Sequence, residues 1–389
     1  MAALDSTPFP LVELHCVANA QNEWVALTLR LSSRGDGVGA LHALFGTPDL
    51  LAAIAPLDCL LLLDTTAMLS PPVLALLPPN RVGFVIAAAS LAEEGAAARL
   101  SLAHEHGYRI LLEGAVPAGA EVPPALRSVA RDCSEAAPPP GTLAVLFGPH
   151  LARNVGSAAR FSECENAGFD WFSGAYQLDS PAQSGSQDGT SRRRLLALLA
   201  LLARDADSRD LEQQLKQDAA LSYHLLKLVN SAAFAVSTQI TSFAQAINLL
   251  GRRQMQRWLQ LLLYARQQPD GLPNLLLPLA ALRGAQLEAL CKREGGDRDD
   301  QDLAFMTGVF SLLDRLLGMP MHEIVADLNL PSLVVQALLE RAGPLGERLR
   351  LAESPPSAHE LEVAGIEPAL WWSCQLDAYH WAIQVGRNV

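Results

Sequence analysis

A histidine followed directly by aspartate on a helix, joined by further His and Asp, is a side-chain set that holds divalent metal and activates water. This chain of 389 residues has nine histidines, and none of them precedes an aspartate. His104-Glu105, His322-Glu323 and His359-Glu360 come nearest, yet none extends to HExxH, so the zinc-hydrolase arrangement is missing too. His104 and His106 stand two apart, which on a helix turns them to different sides. All nine read as solvated or core-edge histidines.

Gly35-Asp36-Gly37-Val38-Gly39 offers backbone amides to a phosphate, but it misses the GxGxxG spacing and follows a strand-like stretch as a turn would. No Walker A sequence and no GxSxG elbow occurs. The six cysteines (Cys16, Cys59, Cys133, Cys164, Cys291, Cys374) include no CxxC pair and fit reduced, packed thiols. Nothing nominates a Cys or Ser nucleophile. No catalytic, cofactor-binding or metal-binding residue is assigned, and no cofactor is expected. Arg192-Arg193-Arg194 and Arg252-Arg253 with Arg257 read first as solvated helix faces. Their functional reading is docking to an acidic surface or a phosphate-bearing ligand. Asp218 reads as a helix start and Asn230 as a helix end, with a binding role as the second reading of each.

The elements that would carry these residues fall into two kinds. Candidate strands lie at 11–16, 24–31, 60–63, 82–87, 109–112 and 143–147. Several are continuous apolar runs, as parallel strands covered on both faces would be. Helix-like stretches at 92–106 and 155–166 alternate with them, which argues an α/β domain with a parallel sheet or barrel. A polar Gly/Ser-rich segment then reads as a linker, giving domains at 1–183 and 193–389 with 184–192 between them. Beyond it the apolar positions follow i, i+3, i+4 spacing, as in Leu211/Leu215 and Met255/Trp258/Leu259/Leu262. Further helices are expected at 275–293, 301–317, 321–328, 332–341 and 369–385, so the second domain is all-α.

Half of the residues are hydrophobic and 18% are charged, the balance of a globular protein. Residues 1–190 hold 9 Arg, no Lys and 19 acidic residues, a net of −10. Residues 191–389 hold 20 basic and 22 acidic residues, a net of −2. Neither half attracts a polyanion by bulk charge, so nucleic acid is not expected as the main partner. No secretory pattern opens the chain and no apolar run spans a bilayer, so a cytoplasmic protein without a membrane partner is expected.

Two resemblances sharpen this. In the C-terminal half, Asp218-Ala219-Ala220-Leu221, residues 225–234, residues 240–251 and Trp258 resemble the HDOD domain, and Met319-Pro320-Met321 and Ala342-Gly343-Pro344-Leu345-Gly346 agree. That family is related to HD phosphohydrolases without their metal site. It implies a helical bundle that mediates protein interaction in bacterial signalling. In the N-terminal half, residues 107–114 resemble the GYRIALDD segment of EAL cyclic di-GMP phosphodiesterases, and residues 155–174 resemble the segment before their FQGY motif. At about 170 residues the match is short, which implies a reduced or irregular TIM-like barrel. EAL hydrolysis uses carboxylate-held divalent ions at strand ends. Here the alignment puts Val25 or Ala26 and Val85 where glutamates belong, Glu113-Gly114 at the paired aspartates, and residues 143–148 at the later Lys/Asp strand. Glu113 is then the one carboxylate left.

The expectation is a degenerate EAL barrel fused to an HDOD bundle. It would not be an enzyme, and would signal in a cyclic di-GMP-related or other regulatory pathway by binding other signalling or regulatory proteins. The alternative is a cyclic di-GMP sensor that does not hydrolyse its ligand, using Arg30, Arg81, Arg109 and Arg153 on phosphates. Cyclic di-GMP as a partner is disfavoured but open to test, and a homo-oligomer is compatible with the sequence.

Overall fold

The computed structural model describes residues 9–32, 37–46, 49–144, 146–179, 197–198, 200–201, 207–216, 245, 251–264, 272–328 and 330–387. Asp218, Asn230, the linker at 184–192, Arg192-Arg193-Arg194 and most of the HDOD-like stretch at 218–250 lie outside the described residues. The chain divides into two compact units: Met1–Gln177 with Ser357–Leu376, and Leu178–Pro356 with Asp377–Val389.

The first unit starts with a hairpin. Strands β1 (Val12–Asn19) and β2 (Trp24–Leu31) pair antiparallel. Their turn is fixed by the Asn19 side chain, whose Oδ1 accepts from the backbone N–H of Gln21 and of Glu23 at 2.9 Å each. Asn22 takes the left-handed conformation there, which asparagine tolerates. From β2 onward each strand pairs parallel with the next: β3 (Asp58–Leu63), β4 (Val82–Ala87), β5 (Arg109–Glu113), β6 (Ser128–Asp132), β7 (Leu151–Arg153) and β8 (Trp171–Phe172). β8 then pairs antiparallel with β1 through Ala18↔Phe172 and Asn19↔Trp171. All eight strands form one closed barrel.

The expectation of a reduced or irregular barrel is therefore corrected. The chain saves length in its connections and in its last two strands, not in strand number. Helices α1 (Gly37–Phe45) and α2 (Asp49–Ala53) join β2 to β3, α3 (Pro71–Leu76) joins β3 to β4, α4 (Ala96–Glu105) joins β4 to β5, and α5 (Ala158–Ala167) joins β7 to β8. Among the described residues, the β5–β6 and β6–β7 connections hold no helix. β7 has 3 residues and β8 has 2, enough to continue the ladder around to β1.

Side chains alternate between the inside and outside of each strand. Val17, Ala26, Leu60, Leu62, Val85, Leu111, Ala130 and Leu151 form one buried cluster, which fixes the inward positions. The outward apolar residues, such as Leu27, Leu29, Leu61, Phe84 and Ile110, are buried against the surrounding helices and loops.

The described part of the second unit is helical. It contains α6 (Ser208–Lys216), α7 (Arg252–Leu262), α8 (Leu276–Arg293), α9 (Arg298–Phe310), α10 (Leu313–Leu317), α11 (Met321–Asp327), α12 (Ser332–Glu340) and α13 (Gly343–Glu353). The first unit takes α14 (Ala358–Val363), and α15 (Pro368–Arg387) contributes to both units. Met255, Trp258, Leu259 and Leu262 are all buried, as their spacing on α7 requires. Asp297 and Asp300 form a capping box that starts α9. α8 and α9 approach so closely that a Cβ at Gly308 would lie 2.5 Å from the Arg283 carbonyl oxygen. Among the described residues no helix is long and apolar enough to cross a membrane.

Candidate functional site

In a parallel barrel the loops at the C-terminal ends of the strands build the reactive face. The inward alternation brings a charged ring there. Continuing from the buried cluster by two residues gives Asp64 beyond β3, Ala87 on β4, Glu113 on β5, Asp132 on β6 and Arg153 on β7. Arg30 follows Ala26 and Thr28 on β2. β1 runs the other way, so its early residues Glu13 and His15 share this end. Three of the charged residues end a strand outright: Glu113, Asp132 and Arg153.

Their contacts are specific. Arg153 Nη1 donates to both Glu113 oxygens, at 2.5 and 2.7 Å, with the two side chains only 12% and 20% exposed. A charge-assisted pair with this little water around it is short and well oriented. The Asp132 carboxylate accepts from Ser134 N–H at 2.9 Å and from Asn154 Nδ2 at 2.8 Å. Its surroundings oppose ionisation, but these hydrogen bonds and the Arg153 charge outweigh that and hold its carboxyl below the usual range. Ser32 Oγ donates to Glu13 at 3.1 Å, and Arg30 stands 4.0 Å from Asp64. His15 is open to water yet set within the concave mouth. The protein around it lowers its pKa, the Arg153 and Arg30 charges add to this, and Glu13 opposes it. Beside the ring, the Glu93 carboxylate accepts from Thr66 N–H at 3.1 Å, from Thr66 Oγ1 at 2.6 Å and from Arg99 at 3.3 Å, tying the loop after β3 to that after β4.

EAL-type chemistry calls for two divalent ions, and the donor set present does not fit them. Both Glu113 oxygens are engaged by Arg153, both Asp132 oxygens accept from neighbours, and Ala26 and Val85 belong to the apolar interior. Among the described residues no three His, Cys, Asp or Glu side chains converge as a metal site would need.

The opposite end of the barrel, its floor, has a different character. A cavity of about 450 Å³ is lined there by Asp58, Arg81, His104, Arg109, Arg127 and Phe147, among others. Arg109 and Glu113 occupy the two ends of the same strand, roughly 13 Å apart at the usual rise per residue. Arg30, Arg81, Arg109 and Arg153 therefore do not gather at one site. Arg30 and Arg153 stand at the mouth, and Arg81 and Arg109 at the floor. Of the Gly35–Gly39 run, the described part, Gly37-Val38-Gly39, opens α1.

Residues 192–271 match the HDOD domain family. The chain is 32% identical over 209 residues to the Vibrio cholerae protein named cyclic di-GMP phosphodiesterase CdgJ, covering 52% of this chain and 47% of that protein. It is 28% identical over 206 residues to YuxH of Bacillus subtilis, covering 52% and 50%. The chain thus spans about half the length of the curated relatives it matches. An EAL domain protein from Listeria monocytogenes gives a TM-score of 0.30 at 13% identity, over 43% of this chain and 86% of that one.

These findings overturn the expectation that the chain is not an enzyme, since a relative carries a phosphodiesterase name. The structure also removes a premise of that expectation. Among the described residues no strand lies at 143–147: Leu143 and Ala144 lie in a turn, with Leu143 N–H bonded to Ala167 O at 3.0 Å. The strand that follows β5 is β6, and it ends in Asp132, so Glu113 is not the sole carboxylate. Sequence reading missed Asp132, Glu13, Asp64 and His15. The alternation Ser128, Ala130, Asp132 was the available signal for the first.

Proposed function

We propose that this chain is a regulatory protein of a cyclic di-GMP-linked signalling system, with a degenerate EAL-type barrel and an HDOD helical part that acts by contact with other signalling proteins. The observation that carries this reading is the pairing in one chain of an HDOD match at 192–271 with a closed barrel whose C-terminal mouth is ringed by charge. Similarity to a protein named for cyclic di-GMP supports the pathway. The degenerate character is supported by Ala26 and Val85, alkyl groups in the apolar interior, and by Glu113, whose lone pairs are directed at Arg153.

The test uses the full chain as bait in lysates from cells with raised and lowered cyclic di-GMP. A partner set that changes with the nucleotide is expected, and the same set in both, or none, sinks the contact reading. The same preparation is incubated with cyclic di-GMP and Mg²⁺ or Mn²⁺. Turnover abolished by Glu113→Gln would put hydrolysis in place of contact as the working step.

A further inference from the structure

We propose that the barrel floor binds a small phosphate-bearing ligand with a flat ring, a mononucleotide being the simplest of that class. Residues 1–190 carry only nine arginines against 19 acidic groups, yet three of the nine (Arg81, Arg109 and Arg127) line this one cavity with a single carboxylate, Asp58. Such clustering on an acidic background marks a local preference for anions. Two of the three guanidiniums are also held in place. Arg109 is bonded to Asp58 at 2.8 Å and lies 5.0 Å above the Trp171 ring. Arg81 spends one nitrogen on the carbonyls of Leu51 and Leu57, at 3.1 and 2.9 Å, while its Nε is buried with no hydrogen-bond partner.

The ring preference comes from Phe147, which stays 74% exposed beside the cavity with Arg127 5.9 Å from its centroid. An exposed aromatic ring beside guanidiniums is how proteins hold a base and its phosphate together. A cavity of 450 Å³ lies within the range for small-molecule sites. This inference is independent of the function proposed above, because the floor is at the opposite end from the mouth.

The experiment is calorimetry on the full chain with guanosine monophosphate and, separately, inorganic phosphate. The nucleotide is expected to bind with a dissociation constant below about 1 mM and more tightly than phosphate. Arg127→Gln should weaken it about tenfold. Phe147→Ser should weaken the nucleotide about fivefold and leave phosphate unchanged. Both positions are exposed, so the variants are expected to melt with the wild type. Glu113→Gln, at the mouth, should leave nucleotide binding intact. The inference is overturned by no heat up to about 5 mM nucleotide, by binding insensitive to both floor variants, or by binding lost only in Glu113→Gln.

Discussion

His15 shows how placement sets the behaviour of a single group. Its folded pKa lies below the ordinary value of 6.5, so the unfolded chain binds the proton more readily. The sign follows: stability is full above pH 6.5 and falls as pH drops toward the lower folded pKa. His15→Gln should remove that part of the acid sensitivity, seen as a flatter denaturation midpoint as pH falls below about 6.5. The thiols give a second residue-scale expectation. Burial pushes Cys59 and Cys133 up to about 12, so neither forms a useful fraction of thiolate at pH 8. Cys291 is the one thiol not fully buried. A thiol-reactive dye at pH 8 should label Cys291 alone in the folded protein and all six cysteines in denaturant. Rapid native labelling of Cys133 would contradict the burial described.

Strands and connections set the limits of what the residues alone convey. β2 and β4 are legible because their apolar runs are long and bounded by turn residues, and both occur where the pattern places them. β6 and β8 are not. Ser-Val-Ala-Arg-Asp is too polar and Trp-Phe too short to stand out, and they are strands because their neighbours offer hydrogen bonds. The run Leu143 to Phe147 misleads for the opposite reason. Leu143 is buried under the end of α5, but Phe147 faces solvent, so an apolar stretch marks a packed turn. That one misplaced strand removed Asp132 from view and, with it, half of the carboxylates that end strands at the mouth. At the closure of the barrel, Gly174 follows β8 with φ 140, and a Cβ there would stand 2.4 Å from Val155 N. Gly174→Ala should therefore cost about 3 kcal/mol in urea unfolding, whereas a loss under about 0.5 kcal/mol would mean that this corner can shift.

Across the whole barrel, the two ends differ in charge. The mouth ring holds four carboxylates against two guanidiniums, with His15 neutral at pH 7. The floor cavity holds three guanidiniums against one carboxylate. Salt should act on the two ends in opposite senses. Affinity of the floor for guanosine monophosphate should fall severalfold between about 20 and 200 mM NaCl, as screening shortens the reach of the arginines. An affinity that does not move with salt would mean that the arginines are already neutralised by neighbours.

This opposition turns the closed barrel into an electrical axis. A small anion drifting near the first unit meets repulsion at one pole and attraction at the other, so approach is sorted by direction before any atom touches. The apolar plug of Val17, Leu60, Val85, Leu111 and Leu151 leaves no path for water or ions between the poles, and so lets one short cylinder present opposite polarities to the same solution.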